Sequence, residues 1–268
     1  MATIEIPATP PLGIRHLLLW VAGCAVALAA YRLTSAGQET APGDQAFTAA
    51  WQMANSTAYG AALAGLAIMG WRRLRGDRRL PCLPGHWLLL LGAVTALLDA
   101  GFTLGFLLAA AANGVSFYIY WWHYGAAGYG CGAVVVAVAL IGIRQPWWWR
   151  VPLVALFLLF AAQSFWHLAI LYAGQSSWIG SMYYSVTRWL GSPLGDRVQE
   201  HLMAAGAAAG VITLLAAWLC DRIARRRGDW IHYSGVAVWI IMGCAQLAAY
   251  VYYVWWTQLK FGIDLGGP

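Results

Sequence analysis

Charge is what this sequence has least of. Asp, Glu, Lys and Arg make up 10% of its 268 residues, against roughly a quarter in a typical soluble domain. Lysine occurs once, at Lys260. A soluble fold of this length needs polar side chains over its outside, so the soluble class is excluded. Cysteine is also scarce. The five cysteines form no CxxC pair, which removes a disulfide framework and the usual zinc ribbons. There is no HxxxH or HExxH spacing, no glycine-rich phosphate loop and no obvious inverted repeat of the kind built into many transporters. Gly130-Cys131-Gly132 hints at an intramembrane protease turn, but Tyr129 breaks the glycine–x–serine–glycine pattern. A retinal Schiff base needs a lysine inside a span, and Lys260 stands at the end of the last one.

What remains is apolar length. Hydrophobic residues make up 61% of the chain and run in blocks of about 20, enough to cross a hydrocarbon core of about 30 Å as a helix. Only helices and closed barrels satisfy their peptide groups in lipid. The blocks lack the alternation of a barrel strand, so they are helices. The sequence predicts spans near 17–31 (starting as early as Ile14), 47–71, 87–112, 117–143, 151–173, 202–223 and 230–257, with Pro152 in a tolerated first turn. The expected fold is an all-α, seven-helix transmembrane bundle over residues 14–258. Residues 1–13 form a short N-terminal tail and 259–268 a C-terminal one.

The basic residues orient this bundle. With the N-terminus inside, the inner side receives Arg15, Arg72, Arg73, Arg75, Arg78, Arg79, Arg144, Arg150, Arg222, Arg225, Arg226 and Arg227. The outer side receives only Arg32, Arg188, Arg197 and Lys260. By the positive-inside rule the N-terminus is inside and the C-terminus outside, in a bacterial-type cytoplasmic (inner) membrane. The net charge of +6 is then an orientation device facing anionic headgroups, and no nucleic-acid partner is expected. Val21-Ala22-Gly23-Cys24 resembles a lipoprotein box and Ala27-Leu28-Ala29 a signal-peptidase site. The apolar run before Cys24 is too short for a signal core and continues past the cysteine, so an uncleaved helix is expected.

Small residues mark where helices should meet. Gly125, Gly128, Gly130 and Gly132 lie in the fourth span, Gly206 and Gly210 in the sixth, and Ala61 and Gly65 in the second. They permit the close packing that replaces a hydrophobic drive in lipid.

Few residues can carry chemistry. Asp99 is the only charged side chain deep in a span, and such groups face a bundle interior. It reads as a proton or cation site, as a partner for a histidine, or as a helix tie bonded to Thr95 or Thr103. His16, His86 and His232 fall at inner ends; His123, His167 and His201 fall toward outer ends. The outer three could ligate a metal, and His123 and His167 a haem. Gln163 lies one turn from His167, Tyr120 and Tyr124 flank His123, and Glu200 precedes His201. The same histidines also serve as interfacial anchors. The 17 Trp and 13 Tyr form aromatic belts, as at Trp121-Trp122, Trp147-Trp148-Trp149 and Trp255-Trp256. The long outer loop 174–200, with Trp178, Tyr183, Tyr184 and Trp189, reads as an interfacial helix or a lid.

These readings converge on a multi-pass, non-enzymatic membrane subunit, or a bundle that binds a small molecule or lipid in an outer aromatic and histidine-lined cavity. Partner subunits within the bilayer fit that role. Two alternatives stay open. One is a metal- or haem-binding enzyme or redox subunit built on His123, His167 and Asp99; the other is a proton-coupled carrier centred on Asp99.

Overall fold

The computed structural model describes residues 13–35, 45–76, 83–113, 117–142, 146–172, 181, 185, 198–224 and 229–261. Among them are seven helices: α1 (Ile14–Ser35), α2 (Gln45–Leu74), α3 (Pro84–Asn113), α4 (Phe117–Gly142), α5 (Trp147–Tyr172), α6 (Val198–Ile223) and α7 (Trp230–Phe261). The described residues hold no strand. Five helices are long and apolar enough to cross a membrane: α3 over Pro84–Gly105, α4 over His123–Gly142, α5, α6 over Met203–Ile223 and α7 over Trp230–Tyr252. The apolar run of α1, Ile14–Ala29, is shorter. α2 is long, but Gln52, Asn55, Ser56 and Thr57 dilute its apolar face.

Local chemistry sets several helix ends. α2 stops where Gly76 takes a left-handed φ of 96°, with the Gly76 N–H bonded to the Arg73 carbonyl at 3.1 Å, an ending that glycine makes without steric cost. α1 and α3 begin with the same device. The third helical residue is a histidine whose Nδ1 accepts the backbone N–H of the residue preceding the helix. His16 accepts from Gly13 at 3.0 Å and His86 from Leu83 at 3.4 Å. Glutamate plays that part in a capping box; imidazole does so without placing a charge near lipid.

One expectation is corrected. α5 starts at Trp147, so Pro152 is an interior residue. It removes the N–H that would have bonded the Trp148 carbonyl. The helix starts early because Trp148 and Trp149 both donate their indole N–H groups to the Asp221 carboxylate on α6, at 3.0 and 2.7 Å.

Packing closes the helices into a ring. α2 meets α3, α3 meets α4, and so on through α6 to α7, which returns to α2. α1 lies outside and packs chiefly on α2, where a Cβ on either Gly23 or Gly60 would strike the other helix's backbone. α3 and α7 also meet across the ring and separate two cores. Leu88, Leu91, Val136, Trp149, Leu156 and Leu214 belong to the larger, shared by α3 to α7. Ala62, Met69, Leu89, Ala93, Ile231 and Val238 belong to the smaller, between α2, α3 and α7. The α3–α7 wall depends on glycine: a Cβ on Gly85 would meet the His232 carbonyl, and one on Gly235 the Gly85 carbonyl. Trp239 adds a bond from its indole to the Leu88 carbonyl at 2.7 Å.

Four of the glycines singled out in the sequence lie where neighbouring helices pack closely. Gly125 receives the His167 ring, Gly132 the Phe160 ring, Gly206 the Leu159 side chain and Gly65 that of Leu89. They are sockets for side chains, while backbone meets backbone at Gly23–Gly60 and Gly85–Gly235.

Candidate functional site

Two polar groups stand out, at opposite ends of the bundle. The first is centred on Asp99, fifteen residues into α3 and so about 22 Å along it. Its Oδ1 accepts the Tyr124 hydroxyl of α4 at 2.8 Å. Asp99 is thereby tied to a neighbouring helix, whereas Thr95 bonds the Leu91 carbonyl of its own helix at 2.9 Å. The Tyr124 ring lies 4.8 Å from that of Phe102, and Tyr59 of α2 lies within electrostatic reach of it. One turn further along α4, Tyr129 sits 5.2 Å from the His167 ring of α5. His167 is buried; its Nδ1 donates to the Gln163 carbonyl at 2.7 Å and its ring fills the Gly125 socket. Ser164 reaches the Ala126 carbonyl at 2.8 Å. The result is a string of polar side chains from α3 through α4 to α5.

The second group joins the starts of α3 and α7. Asp229 precedes α7 and accepts the His232 backbone N–H at 2.8 Å, the bond of an N-cap residue. The same oxygen lies 2.9 Å from His86 Nε2. Because His86 Nδ1 already accepts from Leu83, its proton is on Nε2 and points at the carboxylate. In return His232 Nδ1 accepts the Gly85 N–H at 2.9 Å. All of this is dry: His86 is 0% exposed, His232 2% and Asp229 7%. Burial pushes the Asp229 carboxyl up, but the hydrogen bonds from His86 and from the His232 N–H outweigh it, leaving it below the usual carboxylate range.

The residues picked from sequence therefore fall in different places. Asp99, Gln163 and His167 lie on adjoining helices and share the first group. His123 is exposed on α4, one residue from Tyr124. His201 is tied elsewhere, sharing a 2.7 Å hydrogen bond with Tyr250 of α7. Among the described residues no three His, Cys, Asp or Glu side chains converge to hold a metal ion. Asp99 is bonded to a tyrosine, and the aspartate–histidine pair lies at Asp229 and His86. The loop from Gly174 to Arg197, apart from Ser181 and Ser185, lies outside the described residues, with Trp178, Tyr183, Tyr184, Val186 and Trp189. So do Cys82, Arg78, Arg79, Arg144 and the arginines from 225 to 227, and the side chains of Tyr120, Trp121, Trp122, Glu200, Trp255 and Trp256.

Sequence reasoning missed the Asp229 junction, although an aspartate directly before an apolar run is a helix-start signal. It also missed Tyr124 as the partner of Asp99, a pairing 25 residues apart that no local spacing announces.

The two ends differ in how tightly the interior closes. On α3 the last buried residue is Ala96; beyond it no residue with a described side chain is buried. On α7 the last is Val238, and nothing from Trp239 to Tyr252 is buried. The wall between the cores thus loosens at the level of Asp99. Meanwhile α2, α4 and α5 keep buried residues there, including Asn55, Ala126 and Gln163.

Protein-family models, curated proteins and solved structures were each compared with the chain, and none matches it.

Proposed function

We propose that this chain is a seven-span protein of the cytoplasmic membrane, N-terminus inside, that binds a small molecule from the outer side and catalyses no reaction. The observation that carries the reading is the loosening of the α3–α7 wall at Asp99, from which Tyr124, Tyr129 and His167 lead into the bundle. Buried polar groups cost several kcal/mol in lipid unless they are bonded or line a cavity. A bundle built only for structure has no need to place a carboxylate where its packing loosens. The inner end, by contrast, is closed by the Asp229 junction and the larger core, as a one-sided binding chamber requires.

Single cysteines in a variant lacking the native five test this. Gln246→Cys, on the loosened part of α7, should react with a membrane-impermeant maleimide added outside, at least about tenfold faster than Val236→Cys. Equal rates at the two positions would overturn the one-sided chamber. A cysteine placed in the 77–82 connection should react only from the inside.

A second reading is favoured by the Asp99–Tyr124 bond, since a carboxylate held by a phenol can exchange a proton. As a proton-coupled carrier, the protein in liposomes would move protons with its ligand, and Asp99→Asn would abolish that flux.

A further inference from the structure

We propose that the outer chamber takes a monovalent organic cation, an amine or quaternary ammonium, with Asp99 as its counter-charge. The inference rests on the binding reading above and names the ligand class for the same site.

The reasoning starts from an unbalanced charge. Among the described residues Asp99 bonds only Tyr124 and has no Lys, Arg or His ion-pair partner. The contrast with Asp229 is instructive, because that carboxylate is held by a histidine at 2.9 Å. A carboxylate in a lipid-embedded bundle is stabilised by a counter-charge or by a proton. Its single bond to Tyr124 occupies one lone pair of one oxygen; the other oxygen stays available to a ligand.

What surrounds Asp99 selects the kind of cation. Phe102 lies one turn along its own helix, with its ring 4.8 Å from that of Tyr124. Tyr59 lies within electrostatic reach of Tyr124, and Tyr129 within that of Asp99 itself. Two tyrosines of α4 thus lie near the carboxylate, with Phe102 of α3 and Tyr59 of α2 beside the one that bonds it. Aromatic faces attract soft, weakly hydrated organic cations, most strongly where water is excluded. A small metal cation instead asks for several oxygen donors, and no cluster of acidic or histidine ligands exists among the described residues. The half-buried state of Asp99, three residues past the last buried position of α3, leaves the approach open.

The test uses the full chain in lipid nanodiscs. Binding of phenyltrimethylammonium and of its uncharged carbon isostere tert-butylbenzene is measured by equilibrium dialysis, with protein-free nanodiscs subtracted. The wild type should bind the cation saturably, and Asp99→Asn should weaken binding at least about tenfold. Asparagine keeps an oxygen for the Tyr124 hydroxyl, so a matched thermal melt verifies the fold. Tyr124→Phe, which keeps the ring and frees the carboxylate, should bind within about threefold of wild type. Equal cation binding by Asp99→Asn would overturn the proposal, as would no saturable cation binding by the wild type. If tert-butylbenzene binds as tightly as the cation and survives Asp99→Asn, the cation class is wrong while the outer chamber stands. If neither compound binds and Gln246→Cys reacts no faster than Val236→Cys, the chamber falls as well.

Discussion

The two ends of this bundle hold their polar groups in opposite ways. At the Asp229 end the polar groups of the junction bond one another: Gly85 N–H to His232, Leu83 N–H to His86, and His86 and the His232 N–H to Asp229. There the backbones of α3 and α7 touch, and large side chains such as Trp149, Leu88 and Ile231 are almost fully buried. At the Asp99 end the same two helices carry no buried residue among the described side chains, and their one deep carboxylate has a phenol for a partner. The lesson is that a polar group in a membrane protein locks when its bonds are complete and its surroundings are dry. It becomes a site when one of those conditions fails.

The largest way to break this comparison is to separate α3 from α7. Gly235→Val places a branched side chain where the Gly85 carbonyl lies, and neither backbone can yield without moving its helix. The expected cost exceeds about 3 kcal/mol, seen as loss of a cooperative melt or of purifiable protein. The counterpart at the Asp99 end is Gly101→Ala. Nothing lies within 4 Å of a Cβ there, so the change should be neutral or should stabilise by up to about 1 kcal/mol.

Next comes Asp229→Ala, which removes an N-cap and leaves the His86 proton without an acceptor, at a cost of about 2–4 kcal/mol. The sign of its pH dependence follows from a folded-state carboxyl held below its ordinary value of 3.8. Its contribution is complete above that value and fades as pH falls through the lower folded value. Melts should therefore show Asp229→Asn losing less stability than wild type between pH 4 and the acid limit. Identical acid limbs would mean the junction does not depend on that charge. The same substitution at the other end, Asp99→Asn, should cost under about 1 kcal/mol, since the amide keeps the Tyr124 bond in half-buried surroundings. A loss at Asp99 equal to that at Asp229 would erase the distinction between lock and site.

Much of this architecture is written locally. The apolar runs marked all seven helices to within a few residues, because lipid forces the backbone to satisfy itself and leaves no competing structure. Where boundaries moved, side chains moved them: the tryptophans anchored on Asp221 carried α5 back past Pro152. α2 is the instructive exception. Its polar stretch from Gln52 to Thr57 lowers its hydropathy although Asn55 and Ser56 are buried against other helices, and burial by neighbours is invisible in a window of sequence. The candidate site was legible only in parts. Asp99 announced itself by being alone in an apolar run, and Gln163 and His167 by their spacing of one turn. Their partners did not, because Tyr124 meets Asp99 across 25 residues and Asp229 meets His86 across 143. Those pairings depend on the order of helices around the ring, which hydropathy does not encode. For the same reason three histidines at one depth looked alike, yet His201 is tied to α7 through Tyr250.

A last, small effect probes whether the Asp99 half is loose throughout or only between α3 and α7. Ser164 bonds the Ala126 carbonyl at 2.8 Å, joining α5 to α4 just beside the His167 socket. Hydrogen bonds between helices in lipid contribute about 0.6 kcal/mol on average, since a separated helix finds other partners. The Ala126 carbonyl also keeps its place in the α4 helix when the serine is gone. Ser164→Ala should therefore lower stability by about 0.5–1 kcal/mol in a melt and leave the reactivity of Gln246→Cys unchanged. A loss above about 2 kcal/mol would make the α4–α5 seam as demanding as the Asp229 junction. The opening at Asp99 would then be a cleft in a rigid wall, with α3 and α7 as its only moving sides.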